Sequence, residues 1–271
     1  MCRLLGYLGK SLALEQLLLQ PPHSLYVQSY QPREMTSGLL NADGYGVGWY
    51  GTNEVAEPYI YRQTLPIWSD GNLEDLGRYV QSGCVLANVR SATTGQAVQL
   101  SNCQPFRFGQ ILFVHNGFIE NFAASLARPL RDQLSDPSYR LIQGSTDSEH
   151  IFALFCEQLL AQPELSLVAA LQQTLKRITA LATAAQVRVG LNLIISDGQQ
   201  LVACRYASPN QPASLYWLGA DSTHPHFPAS VLVASEPILP DQGWQRFPEN
   251  SLLAVAANLD VHAFPLEFSS F

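Results

Sequence analysis

The sequence predicts an α+β protein built on antiparallel sheets, because its apolar segments sort into two kinds of block. Short strand-like runs crowd both ends of the 271-residue chain, while helical periodicity is concentrated in the middle. Many of the strand-like runs are bounded by Gly, Asn, Asp or Pro, as sheet strands joined by turns should be.

Residues 2–8 (CRLLGYL) read as a buried strand, followed by a helix over 12–19. Strand character returns at 45–50, 58–63, 84–90 and 110–115, and a weaker helix is expected near 120–134. Segment 148–160 (SEHIFALFCEQLL) is apolar more than halfway round, which predicts a helix lying between two layers. Leu165, Val168, Leu171, Leu175, Ile178 and Ala182 recur at three- and four-residue steps and form one apolar face. Further strands are expected at 190–196, 200–206, 214–218, 230–234, 251–256 and 259–264, with Asp197-Gly198 marking a hairpin between the first two. No long linker, repeat or low-complexity stretch interrupts the pattern, so residues 1–271 are expected to form a single domain.

With 47% hydrophobic and 14% charged residues, the chain can bury a large core. Its formal charge of −7 and pI near 5.3 argue against nucleic acid or an anionic membrane as partner. Lys10 and Glu15 break the apolar N-terminal stretch, and no uninterrupted run approaches a membrane span, so the cytoplasm is the expected compartment. Cys2, Cys84, Cys103, Cys156 and Cys204 are odd in number and widely separated, which suggests neither a disulfide framework nor a zinc site. The one H-x-H, His224-Pro225-His226, lacks further ligands at metal-binding spacing. No metal and no cofactor is expected.

Five stretches could carry chemistry. Cys2 has a bland reading, a small apolar residue opening a strand. Its alternative is specific: once Met1 is removed, Cys2 bears a thiol and a free α-amine, and that amine can take the thiol proton as general base. Strand alternation puts Arg3 on the opposite face, so Arg3 is not expected to activate the thiol. Arg90, at the end of CVLANVRSATTG, suits either a structural carboxylate or bidentate capture of a substrate carboxylate. Asn116-Gly117, in ILFVHNGFIEN, reads first as a hairpin turn, and alternatively as an oxyanion hole made by the Asn116 amide and the Gly117 N–H. His115 resembles a competing base that the N-terminal amine makes unnecessary. Thr146 and Glu149 form a capping box, so Asp147 sits in the first turn of a helix, where it could also receive a ligand's ammonium group. The glycines of NADGYGVGWY (41–50) have no Lys-Ser/Thr behind them and lead into a strand, which excludes a phosphate loop and leaves a tight turn admitting backbone close to a ligand.

Together these residues describe one substrate, an α-amino acid that carries an acyl group at its far end. Arg90 would hold the carboxylate, Asp147 the ammonium, and Cys2 would attack a γ-carbonyl whose oxyanion Asn116 and Gly117 receive. The ordered set MCRLLGY, DGYGVGWY, NVRSATTG, QPF, HNG and STDSE resembles the class II glutamine amidotransferases of the N-terminal-nucleophile (Ntn) hydrolase group. That resemblance implies a four-layer αββα sandwich of two packed antiparallel sheets, with 1–271 as one amidotransferase-type domain. The C-terminal stretch 231–255 extends the likeness to a stand-alone ergothioneine-pathway branch. It implies hydrolysis of γ-glutamyl-hercynylcysteine S-oxide, a small-molecule γ-glutamyl amide, to glutamate and the free amine. Many synthases of the group carry a glycine where this chain has Arg3, and a further domain that consumes ammonia. Two other readings stand beside the hydrolase: a glutaminase subunit feeding ammonia to a partner, and a non-catalytic glutamyl-binding protein. No motif marks a leaving-group pocket; Trp49, Trp68 and the aromatic C-terminal third are the candidates.

Overall fold

Period-2 alternation in the first strand decides the layering. The computed structural model describes residues 1–51, 57–93, 95–208, 211–220, 226–240 and 243–266. Strand β1 (Arg3–Ala13) turns Leu5 and Tyr7 to one side and Leu4 and Leu8 to the other. The first pair packs beneath three short helices, α1 (Glu15–Leu18), α2 (Leu25–Tyr30) and α3 (Leu73–Tyr79). The second pair faces another sheet.

β1 lies inside a sheet with β2 (Tyr45–Trp49), β3 (Tyr59–Gln63), β4 (Gln81–Val89), β9 (Tyr216–Leu218), β10 (Ser230–Ala234) and β11 (Gln245–Arg246), in the order β11-β9-β10-β1-β4-β2-β3. The opposing sheet runs β13-β12-β8-β7-β6-β5, from β5 (Phe106–Phe108), β6 (Ile111–Ile119), β7 (Val189–Ser196), β8 (Leu201–Ser208), β12 (Ser251–Val255) and β13 (Val261–Pro265). Every paired strand is antiparallel to its neighbour. On the outer face of this second sheet lie α4 (Phe122–Ser125), α5 (Ala127–Arg131), α6 (Asp136–Tyr139), α7 (Asp147–Ala161) and α8 (Leu167–Ala185). Phe152 and Phe155 of α7 and Leu171, Leu175 and Ile178 of α8 pack with Phe113, Leu191, Leu193 and Ile195. Helices, sheet, sheet, helices: the expected αββα sandwich is what forms.

Between the sheets, Leu4, Leu8, Leu86, Leu112, Val114, Ile194, Ala203 and Leu253 fill an apolar seam. Burying each large aliphatic side chain contributes about 1.5–3 kcal/mol, so the seam fixes the spacing of the two sheets. The glycines of residues 41–50 also shape this packing. Gly44 makes the turn, with φ +109°. Gly48 faces the second sheet, where an added Cβ would come within 2.9 Å of Leu112.

Some boundaries differ from the sequence reading. β1 continues through Ala13, so the expected helix over 12–19 shrinks to four residues. The helix near 120–134 breaks at Leu126 into α4 and α5. α2, capped by Ser24, and α3 were not foreseen, because helices of six and seven residues show too little periodicity. No described helix is long and apolar enough to cross a membrane.

Candidate active site

The seam turns polar at one end, and the candidate residues gather there. In the second sheet the row following Val114 and preceding Ile194 is Asn116, Asn192, Arg205 and Ser251, aligned by the register of β6, β7, β8 and β12. In the first sheet, alternation continues Leu4 back to Cys2 and Leu86 forward to Asn88 and Arg90. Cys2 is partly buried, its Sγ 3.8 Å from the Ser91 carbonyl oxygen. Arg3 points the other way, as alternation requires, and donates from Nη1 to the Cys2 carbonyl at 2.9 Å instead of meeting the thiol.

Asn116 is only 1% exposed, yet neither atom of its side-chain amide has a partner. A buried amide without hydrogen bonds costs about 1–3 kcal/mol, so a native protein keeps one only for a reason. Gly117 completes the pair. The hairpin expectation for Asn116-Gly117 fails, because both residues lie inside β6, paired with Asn192 and Leu191. Odd-numbered residues of β6 turn their backbone groups away from β7. Phe113 pairs with β5, the His115 N–H donates to Gln104 Oε1, and the Ile119 N–H donates to Asp147 Oδ2 at 2.9 Å. By that alternation the Gly117 N–H points out along the same open edge, between two amides that side chains have capped. No other residue fits: an added Cβ would run into the Gly190 carbonyl and His115 Nε2.

Asp147 opens α7, and its Oδ1 accepts from the Ser148 N–H at 2.8 Å. The capping box around it forms: Thr146 Oγ1 accepts from the Glu149 N–H, and the Glu149 carboxylate accepts from the Thr146 backbone N–H. Arg90 is nearly buried and holds the neighbouring loop through the Asp43 carbonyl at 3.2 Å, Gln96 Oε1 at 3.3 Å and the Ala97 carbonyl at 3.4 Å. His115 faces the helices, not the seam. Ser148 Oγ lies 2.9 Å from its Nδ1, and burial pushes its pKa down. Met1 carries the chain's α-amine, which donates to the Ser37 carbonyl at 2.9 Å and whose pKa burial lowers.

Sequence reasoning missed two groups. Gln104 holds both backbone groups of His115, substituting for a strand beside β6. Glu236, directly behind β10, joins β1 to the loop above it. Its carboxylate lies 2.8 Å from Arg3 Nε and accepts from His23 Nε2 at 2.7 Å, the Arg33 N–H at 2.8 Å and the Glu34 N–H at 3.0 Å. Burial alone would raise its pKa; the bonds from His23, Arg33 and Glu34 and the charge of Arg3 outweigh that and hold it at about 2. Glu236→Ala leaves the fully buried Arg3 without its counter-ion and is expected to cost about 3–5 kcal/mol, read from the midpoint of urea unfolding.

A cavity of about 530 Å³ opens beside Asn116 and Gly117, with Met1, Gly190 and Asn192 among its walls. Neither Trp49 nor Trp68 reaches it; both pack against the α1–α3 layer. No cluster of three or more His, Cys, Asp or Glu side chains suited to a metal occurs among the described residues, and His224 lies outside them.

A cysteine at the head of a strand and a buried, unpartnered amide at the same end of a packed double sheet fit an amide-cleaving hydrolase of the Ntn type. Residues 1–216 match the class II glutamine amidotransferases, and the chain belongs to that family. It is similar to the γ-glutamyl-hercynylcysteine sulfoxide hydrolase of Mycobacterium tuberculosis, with 33% identity over 255 residues covering 94% of this chain and 93% of that one. It is also similar to a probable glutamine amidotransferase of Saccharomyces cerevisiae, 32% identical over 94% of this chain and 82% of the yeast protein. Among solved structures, a class II glutamine aminotransferase domain protein from Silicibacter pomeroyi superposes with a TM-score of 0.70 at 26% identity, covering 98% of this chain and 99% of that one.

Proposed function

We propose that the chain is a cytoplasmic γ-glutamyl amidohydrolase that works through an acyl-enzyme on Cys2, with γ-glutamyl-hercynylcysteine sulfoxide as its substrate. The observation that carries this reading is the buried Asn116 amide, unpartnered and adjacent to the edge-facing Gly117 N–H, at the same end of the seam as Cys2. The substrate follows from similarity to the mycobacterial hydrolase along nearly the whole of both chains.

After removal of Met1, the Cys2 amine takes the thiol proton and Sγ attacks the γ-carbonyl carbon. The carbonyl π electrons move onto oxygen, where the Asn116 amide and Gly117 N–H donate to the developing charge. Collapse of the tetrahedral intermediate breaks the C–N bond, and the Cys2 ammonium gives its proton to the leaving nitrogen. Water, deprotonated by the same amine, then attacks the thioester and releases glutamate with the free thiol. Arg90 binds the substrate α-carboxylate and Asp147 its ammonium.

The test is glutamate release by the purified chain from γ-glutamyl-hercynylcysteine sulfoxide and, separately, from glutamine. The reading expects the substituted amide to be the better substrate in kcat/KM by at least about a hundredfold, on the scale that leaving-group contacts supply. A preference for glutamine that appears only with a partner protein present replaces it with the ammonia-supplying reading. Tight glutamate binding with no turnover of either compound replaces it with the binding-protein reading.

A further inference from the structure

The cavity beside Asn116 and Gly117 has walls that the glutamyl half does not explain. Arg90 and Asp147, assigned above to the glutamyl half, are absent from its lining, whereas Asn116 and Gly117 belong to it. Its volume of about 530 Å³ falls in the ~300–1,000 Å³ range of small-molecule sites. We infer that this cavity receives the leaving amine and selects amines that carry a carboxylate, which Arg33 and Arg246 read. The inference rests on the γ-glutamyl amidohydrolase reading.

The floor is a built polar surface. Asn192 Nδ2 donates to the Ala213 carbonyl at 3.1 Å and the Ser214 carbonyl at 3.2 Å. Those two bonds settle the amide's orientation, leaving Oδ1 buried and without a partner; the Ser214 hydroxyl is in the same state. Both residues line the cavity, and together they offer an acceptor and a hydroxyl to the N–H and polar groups of an incoming amine.

The rim is cationic in a chain whose formal charge is −7. Of the three arginines lining it, Arg188 is engaged by Glu120, with Nη2 2.9 Å from Oε1. The lining carboxylate of Glu34 accepts from Tyr216 OH at 2.7 Å. Arg33 and Arg246 form no ion pair among the described residues, so two arginines line the one cavity without an acidic partner. Neither sits on a loose segment. The Arg33 N–H is held by the buried Glu236 carboxylate at 2.8 Å, and Arg246 is paired with Tyr216 in the β11–β9 ladder. A planar guanidinium fork matches a carboxylate in geometry as well as in charge.

γ-Glutamylalanine and γ-glutamylethylamide share the scissile bond and differ in the carboxylate on the leaving amine. The wild-type enzyme is expected to favour γ-glutamylalanine by at least about tenfold in kcat/KM, mainly through KM. In the Arg33→Ala/Arg246→Ala double variant that preference should fall to within about twofold, with each single substitution removing part of it. Arg246→Lys, which keeps the charge but not the fork, should retain an intermediate preference. A wild-type enzyme that cleaves both compounds without preference, or variants that keep the full preference, overturns the inference and leaves the amidohydrolase reading standing. An enzyme that releases glutamate from neither compound, nor from any other γ-glutamyl amide, overturns that reading and this inference with it.

Discussion

Replacing Cys2 with alanine is expected to reduce glutamate release by at least about 10⁴-fold, because it removes the thiol that the proposed mechanism uses to form the acyl bond. His115 is turned to the helix layer and Ser148 is engaged with it, so neither substitutes for the thiol. The variant should fold normally, since Cys2 is only partly buried and makes one long contact to the Ser91 carbonyl. Mass spectrometry supplies the second readout. Acid-quenched wild-type enzyme should carry a glutamyl adduct on the peptide that begins with Cys2, and the variant should carry none. In a chain that retains Met1, the amine is one residue removed from the thiol and bound to Ser37 O at 2.9 Å, so that form should be inactive. Full turnover by Met1-retaining protein, or by Cys2→Ala, would remove the N-terminal mechanism.

Asn116→Ala should separate catalysis from stability. Loss of one oxyanion donor is expected to lower kcat by about 10²–10³, or about 3–4 kcal/mol, with KM little changed. Thermal stability should stay level or rise, because the resting enzyme buries this amide with no hydrogen bond to lose. A residue that merely supported β6 would behave the other way, lowering Tm while sparing kcat in whatever protein remained folded. Kinetics and melting of the one variant therefore decide between the two roles. Asn88 provides the comparison: its amide is equally buried and unpartnered, and it stands on the opposite sheet in register with Leu4.

How far the sequence could be read depended on the range of the interactions involved. Strands such as 45–49, 230–234 and 251–255 were legible because burial alternates or runs continuously within a few residues. The capping box at Thr146 was legible for the same reason: donor and acceptor lie three residues apart. Asn116-Gly117 misled as a turn because its local signal is real, and what overrides it comes from elsewhere. β7 pairs along one edge, and Gln104 and Asp147 cap the amides on the other. Glu236 gave no signal, since its partners Arg3, His23, Arg33 and Glu34 lie about two hundred residues earlier. The cavity's walls were illegible too, because Arg33, Asn192 and Arg246 come from a loop and two strands of different sheets.

One pairing sets an order of events during synthesis. Cys2, Arg90, Asn116, Gly117 and Asp147 all precede residue 148, yet β1 is completed on one side by β10, with Leu5 opposite Ala234 and Tyr7 opposite Leu232. Ser235 closes that edge, its N–H donating to the Leu4 carbonyl and its hydroxyl accepting from the Leu4 N–H. The strand that directly follows Cys2 thus gains its second neighbour only after every other candidate residue has been synthesised. A chain truncated before β10 would therefore contain every candidate residue and still lack one edge partner of β1, so it should not assemble a working site.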